Sequence, residues 1–446
     1  MGKQRLSRRN MFFIGSMLFG MFFGAGNLIF PVFLGQQAGH NLVPAIIGFL
    51  ISGVGLPLLG VAAIGKSHTD GAFGVASKLG KGAAYVFTVI LYLGLGPLFA
   101  TPRLATISYE IGLRPFVPGK YEHLALALFS FLFFAAAWYL SRKPGKIMTY
   151  VGKILTPAFM VALILLLLFV VLFPLGGWHA PATGMYKSAA AVTGFTNGYM
   201  TMDALASLAF GVVVVRSIRE LGVTDTNAIA KDTIRAGAIA AILMAVLYAV
   251  LAYMGLTSLG EFDRASNGGI IIAEIAQYYF GTLGSILTAI IVVLACLKTG
   301  VGLITAFGDM FKELFPKLNY QMLILIAAGV PFLLANIGLN SILAVSQPFL
   351  YALYPVAIVL ILLTLMNDWF HDDHRVYKIT AGVTLIPALL DGINALPRGL
   401  HTGFIQQLLN WGSYLPGFAQ GLGWTVPAVA AFVLALIYRQ MRPARN

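Results

Sequence analysis

Long apolar stretches alternate with short polar connectors from one end of the chain to the other. A helix needs about 20 residues to cross a hydrocarbon core. Runs of that size fall near residues 11–34, 43–65, 83–112, 122–140, 150–173, 191–215, 233–257, 281–308, 321–337, 343–366, 377–396 and 423–440. The pattern predicts an all-α polytopic membrane protein with about 12 transmembrane helices. The first run is irregular. It is apolar enough to span, yet Gly24, Gly26 and Asn27 lie at its centre and Pro31 follows one turn later. Each Gly costs a helix about 1 kcal/mol relative to Ala, and Asn is little better. Unwound backbone at membrane depth is tolerated only where it is buried in protein or lines a cavity. The stretch Phe23-Gly24-Ala25-Gly26-Asn27-Leu28-Ile29-Phe30-Pro31 is therefore predicted to break the helix at a site for something small and polar.

The sixth run holds the second irregularity. Asp203 lies near its midpoint, within Thr201-Met202-Asp203-Ala204. Insertion scales put the cost of a carboxylate at mid-helix at about 2.5 to 3.5 kcal/mol. Small neighbours would serve tight helix packing, but packing does not need a carboxylate, so a second break is predicted at Thr201 to Ala204. The two interrupted runs are five apart and traverse the membrane in opposite directions. Corresponding broken helices in inverted halves mark the binding site of a secondary transporter. The expected organisation is a terminus at 1–10, a first repeat at 11–173, a second at 191–366, and two added helices with the other terminus at 377–446.

Two basic residues lie inside runs. Arg103 follows the kinked Gly94-Leu95-Gly96-Pro97 and Thr101-Pro102; it either caps carbonyls near the outer end or acts as a gate. Lys298 shares a helical face with Ala295 and Thr299. Its ammonium either pairs with Asp203 or occupies a cation site directly.

Charge adds an orientation. The chain carries a net +13, but only 10% of residues are charged against 59% apolar, with a mean hydropathy of +0.86. With the N-terminus in the cytoplasm, 22 of the 29 Lys and Arg residues fall on cytoplasmic loops and helix ends. Five fall outside: Arg114, Lys120, Lys187, Arg264 and Arg398. The basic excess thus reads as positive-inside topology with both termini cytoplasmic, and not as a nucleic-acid surface. Lys3, Arg5, Arg8 and Arg9 precede a first run that is too long for a signal peptide and lacks a cleavage site. The single cysteine, Cys296, excludes an intrachain disulfide.

Other motifs carry less. Gly60 to Ser67 matches the phosphate-loop pattern, which requires a strand-to-helix loop, whereas these residues end an apolar run. His371-Asp372-Asp373-His374 reads as a solvated turn, not a metal site. Pro397 to Gly423 reads as an external loop with an interfacial segment. An intramembrane enzyme would need paired carboxylates or a nucleophile with its base, and all seven histidines lie in loops or near membrane edges. A channel would show charged rings.

Phe23 to Pro31, Gly198-Tyr199-x-Thr201-Met202-Asp203-Ala204-Leu205 and Ala295-Cys296-Leu297-x-Thr299 together resemble the bacterial branched-chain amino acid:cation symporter family, over nearly the whole chain. The resemblance implies a LeuT-like five-plus-five inverted repeat plus two C-terminal helices. It further implies a bacterial cytoplasmic membrane location and symport of leucine, isoleucine and valine with a cation. An exchanger or uniporter of the same fold is the alternative. No cofactor, nucleic acid or ATPase subunit is implied, and the coupling ion is sodium or a proton. By resemblance Phe23, Gly24, Ala25, Gly26 and Asn27 would hold the substrate carboxylate, and Thr201, Met202, Asp203 and Ala204 would face its amino group. Phe22, Phe23, Met200 and Met202 are candidates to line the side-chain pocket. Sodium would sit between carbonyls near Gly20 and Phe23 and the face of Ala295, Lys298 and Thr299. The family usually has a hydroxyl where this chain has Lys298. The expectation is that its ammonium stands in for the ion, making transport proton-coupled or independent of sodium.

Overall fold

The computed structural model describes residues 5–67, 71–143 and 153–441. Lys3 and the end of the basic turn at 142–146 lie outside them. The elements among the described residues are helical. The first run becomes α1 (Arg8–Phe22) and α2 (Ala25–Ala38). The second becomes α3 (Leu42–Leu50) and α4 (Leu56–Ser67), joined by one wide turn at 51–55. After the short α5 (Ala72–Ala76), the third run divides into α6 (Lys81–Leu93) and α7 (Ala100–Gly112). Gly96 leaves helical geometry between them, at φ −86° and ψ −112°, next to Pro97, which cannot continue the hydrogen-bond ladder. Two continuous helices follow, α8 (Glu122–Ser141) and α9 (Thr156–Leu172).

The sixth run is α10 (Ala190–Gly198), one tight turn to Thr201, then α11 (Asp203–Glu220), with a 43° bend across the break. The rest of the chain forms α12 (Thr226–Thr257), α13 (Gly268–Phe280), α14 (Thr282–Leu314), α15 (Tyr320–Ala335), α16 (Leu339–Leu365), α17 (His374–Asn394), α18 (Gly403–Gly412) and α19 (Thr425–Met441). Among the described residues, each of the twelve apolar runs falls mainly on helix. Among the described residues eight helical stretches are long and apolar enough to cross a membrane, counting α2 to α4 as one, and the bent α10–α11 pair makes a ninth. α15 and α19, at 16 and 17 residues, are apolar but shorter.

Exposure sorts the helices. Large apolar side chains face outward along α8 and α9, among them Leu124, Leu128, Val161 and Ile164, as lipid-facing helices require. Nearly all of α11 is buried. Phe404 and Trp411 are exposed on the amphipathic α18, as an interfacial segment would have them.

Backbone contact sets the central crossings. α2 lies along α12, where a Cβ on Gly35 would come within 1.9 Å of the Ala252 carbonyl oxygen and one on Gly255 within 1.9 Å of that of Val32. α10 lies along α3 in the same manner, with Gly194 facing the Ala45 carbonyl and Gly48 that of Ala191. α1 also packs on α12, and α11 on α4. The first broken helix therefore runs along the seventh run, and the sixth-run helix along the second. Gly60 to Ser67 lie within α4, with Gly60 packed against Ser207, so they form no phosphate loop.

Candidate functional site

The first break begins at Phe23, whose ψ of 85° ends α1, and passes through an extended Gly24 at φ −106°, ψ −161°. Asn27 repairs the start of the next helix, its Oδ1 accepting from the Gly24 N–H at 3.0 Å. Its Nδ2 donates across to the second break, to Asp203 Oδ2 at 2.5 Å, and also to the Tyr248 hydroxyl. Tyr248 in turn donates to the same Asp203 oxygen at 3.1 Å. One side chain thus ties both interruptions together through α12.

The second break turns on Met202, held in the left-handed region at φ 64°, ψ 9°. That conformation costs a non-glycine residue about 1 to 2 kcal/mol and ends one helix where the next begins, bent by 43°. Asp203 opens α11, where the positive end of the helix favours a carboxylate. It is 2% exposed. A buried carboxylate without donors is costly; here Asn27 and Tyr248 supply them.

Nine of the residues singled out in the sequence line one cavity between the breaks: Phe22, Gly24, Gly26, Asn27, Arg103, Thr201, Met202, Asp203 and Thr299. Phe22, Leu95, Leu104, Phe210 and Leu303 make its apolar walls. Its volume is about 30 Å³, room for no more than a few water molecules, so an amino acid enters only if the surrounding helices part. Ala204 and Ala295 are buried but do not line it. The ring of Phe23 turns away, towards Phe19, Phe159 and Tyr248. Met200 contributes its carbonyl, which accepts from Arg103 Nη2 at 2.9 Å, and not its side chain. The side chain of Ala25 lies outside the described residues; its backbone begins α2.

A second constellation adjoins the cavity at the C-terminal end of α1. Lys298, fully buried on α14, donates from Nζ to the carbonyls of Phe23 at 2.7 Å and Gly20 at 3.2 Å. Thr299 Oγ1 lies 3.5 Å from the same Gly20 oxygen. The ammonium sits 4.1 Å from the centroid of the Phe159 ring and 5.4 and 5.5 Å from those of Phe19 and Phe23. The last carbonyls of a helix lack intrahelical donors and carry its negative end, so a cation belongs there. No ion pair joins Lys298 to Asp203, whose Oδ2 is engaged by Asn27 and Tyr248.

Elsewhere, Asp372 pairs with Lys78 and accepts from Tyr377, and Arg439 contacts His371. No cluster of His, Cys, Asp or Glu able to hold a metal occurs among the described residues. Tyr248 and Phe159 were not anticipated. A phenol midway along an apolar run was the available signal for the first; a phenylalanine in such a run offers none.

Two interrupted helices meeting around a small buried cavity, in a multi-pass chain whose described elements are helical, give the architecture of a LeuT-fold membrane carrier. The fold is similar to that of MhsT solved with L-phenylalanine, at TM-score 0.59 and 14% identity over 98% of this chain and 99% of that one. It is also similar to that of Mhp1, a nucleobase-cation-symport-1 family transporter, at TM-score 0.56 and 14% identity over 97% and 92%. The chain belongs to the branched-chain amino acid transport protein family, whose profile matches residues 7–442. It is 43% identical to the branched-chain amino acid permease BrnQ of Lactobacillus delbrueckii subsp. lactis, over 98% of both chains. It is 42% identical to BraB of Bacillus subtilis, over 98% and 96%, and 37% identical to BrnQ of Escherichia coli, over 97% and 96%. It is a transport protein and not an enzyme.

Proposed function

We propose that the chain carries leucine, isoleucine and valine into the cell across a bacterial cytoplasmic membrane by alternating access, with the cavity between the breaks as substrate site and Lys298 in place of a coupling sodium ion. The names of its relatives support branched-chain substrates, and the cavity walls fit an aliphatic side chain. A methylene changes binding by only about 1 to 3 kcal/mol, so all three are accepted with modest preferences. The N-terminal amides of α2 receive the substrate carboxylate, and Asp203 with the freed carbonyls near Thr201 to Ala204 receives the ammonium. The reciprocal packing of α1 and α2 on α12, and of α10 and α11 on α3 and α4, supports two inverted halves at 11–173 and 191–366. The distribution of basic residues supports cytoplasmic termini.

The observation that carries the coupling is the Lys298 ammonium between the Gly20 and Phe23 carbonyls. A cation tethered there leaves a sodium ion no position of its own. The test is leucine uptake into proteoliposomes under an imposed sodium gradient or an imposed proton gradient, each with and without membrane potential. Uptake driven by protons, or exchange without accumulation, is expected. Sodium-driven accumulation would mean that Lys298 lies off the ion path.

A further inference from the structure

We infer that Arg103 is the residue that fixes the substrate carboxylate, its Nη1 completing a site that the first amides of α2 begin. This rests on the cavity between the breaks being the amino-acid site. Arg103 is 4% exposed on α7 and lines that cavity. Its Nη2 donates to Met200 O, and its guanidinium lies 5.6 Å from the centroid of the Phe30 ring. Its Nη1 is buried with no hydrogen-bond partner. A buried guanidinium N–H without an acceptor loses the free energy of its hydration, and the acceptor it lacks is one that the cavity can admit.

The other half of the site lies opposite. Of the amides at the break, that of Gly24 is taken by Asn27 Oδ1. The first helical amides, Ala25 to Asn27, have no intrahelical acceptor. Gly26 presents bare backbone towards Arg103: a Cβ there would stand 3.4 Å from Arg103 Nη2. A carboxylate admitted beside them as the helices part would take a charge-assisted bond from Nη1 and meet the positive end of α2 together.

Charge balance agrees. Arg103 and Asp203 line the same cavity but do not pair; one is held by the Met200 carbonyl, the other by Asn27 and Tyr248. Opposite charges held apart across one small cavity match a zwitterion and no simple ion. The competing role, a gate closing on Phe30, uses the face of the guanidinium and leaves Nη1 unexplained.

The test measures the affinity of purified full-length protein for leucine and for leucinol, which keeps the amino group and side chain and lacks the carboxylate. Wild-type protein is expected to favour leucine by about 10- to 150-fold, the range of a hydrogen bond to a charged group. In Arg103→Gln the ratio should fall below about threefold, through loss of leucine affinity with leucinol affinity nearly unchanged. Arg103→Lys, keeping the charge without the planar fork, should retain a ratio of roughly ten; it also decides the matter should Arg103→Gln fail to fold. A wild-type ratio preserved in the variants, or parallel loss of both ligands, would overturn the assignment and leave the substrate site standing. Wild-type protein that binds neither ligand would overturn the substrate reading and this inference with it.

Discussion

Replacing Lys298 by Thr should convert this carrier into one that needs sodium. The ammonium makes two charged hydrogen bonds, to Phe23 O and Gly20 O, and lies over Phe159. Bonds to charged groups contribute about 1.5 to 3 kcal/mol each, and a desolvated cation over a ring about 2. Burying the ammonium costs several kcal/mol and offsets much of that sum, and Lys298→Thr relieves that cost along with the bonds. Its removal leaves two carbonyls at the end of α1 without donors, at about 1 to 3 kcal/mol each. The net loss on Lys298→Thr is therefore on the order of 3 kcal/mol. A threonine hydroxyl beside Thr299 and the two carbonyls would instead present an oxygen set suited to sodium. Sodium at about a hundred times its Kd would restore about 2.7 kcal/mol by mass action, close to what was lost. Thermal unfolding of purified protein in sodium chloride and in choline chloride, at equal ionic strength, reads this directly. Wild-type curves should superpose. The variant should unfold earlier in choline and recover in sodium, and its leucine uptake should follow the sodium gradient. Equal sodium stabilisation of the wild type, or a variant indifferent to sodium, would refute the reasoning.

Asp203→Asn keeps an oxygen to accept from Asn27 or Tyr248 but removes the charge that meets the substrate ammonium. Leucine affinity should fall by about 10- to 100-fold with a monodisperse folded protein, and binding within threefold of wild type would sink the role given to Asp203. Gly194→Val drives a side chain into the Ala45 carbonyl at the α3–α10 crossing and should abolish folded protein on size-exclusion chromatography; Gly329→Val, on α15 where a Cβ meets nothing within 4 Å, should not. On α13, burial pushes the Glu274 carboxyl above its ordinary range, and its Oε2 has no partner. The protonated form is favoured in the folded protein. Its contribution to docking α13 is complete below the unfolded glutamate pKa and is lost as pH rises through the raised folded value. Hydrogen exchange of α13 should therefore quicken over that window beyond its intrinsic pH dependence in the wild type and not in Glu274→Gln; identical profiles would count against it.

Both breaks were legible because each violates a local rule. Gly24, Gly26 and Asn27 weaken a helix whatever surrounds it, and Asp203 is costly anywhere in an apolar run. Lys298 was legible for the same reason, and its spacing with Thr299 placed both on one face. The residues that answer these costs were not legible, since tertiary crossing chooses them. Tyr248 lies 221 positions from Asn27, and nothing local separates it from Tyr253, which belongs to the same helix and is not fully buried. Phe159 is one apolar residue among many until α9 brings its ring to the ammonium. The same division explains Phe23: its backbone break follows from the glycine beside it, but its ring direction is set by Phe159 and Tyr248 packing behind it. Arg103 shows the limit most clearly. A charge inside an apolar run says where a partner must be found, and the two readings of it, cap or gate, differ only in what that partner is. The Met200 carbonyl answers for one nitrogen. The other is buried without a partner beside the cavity, and the carboxylate inferred above would answer for it.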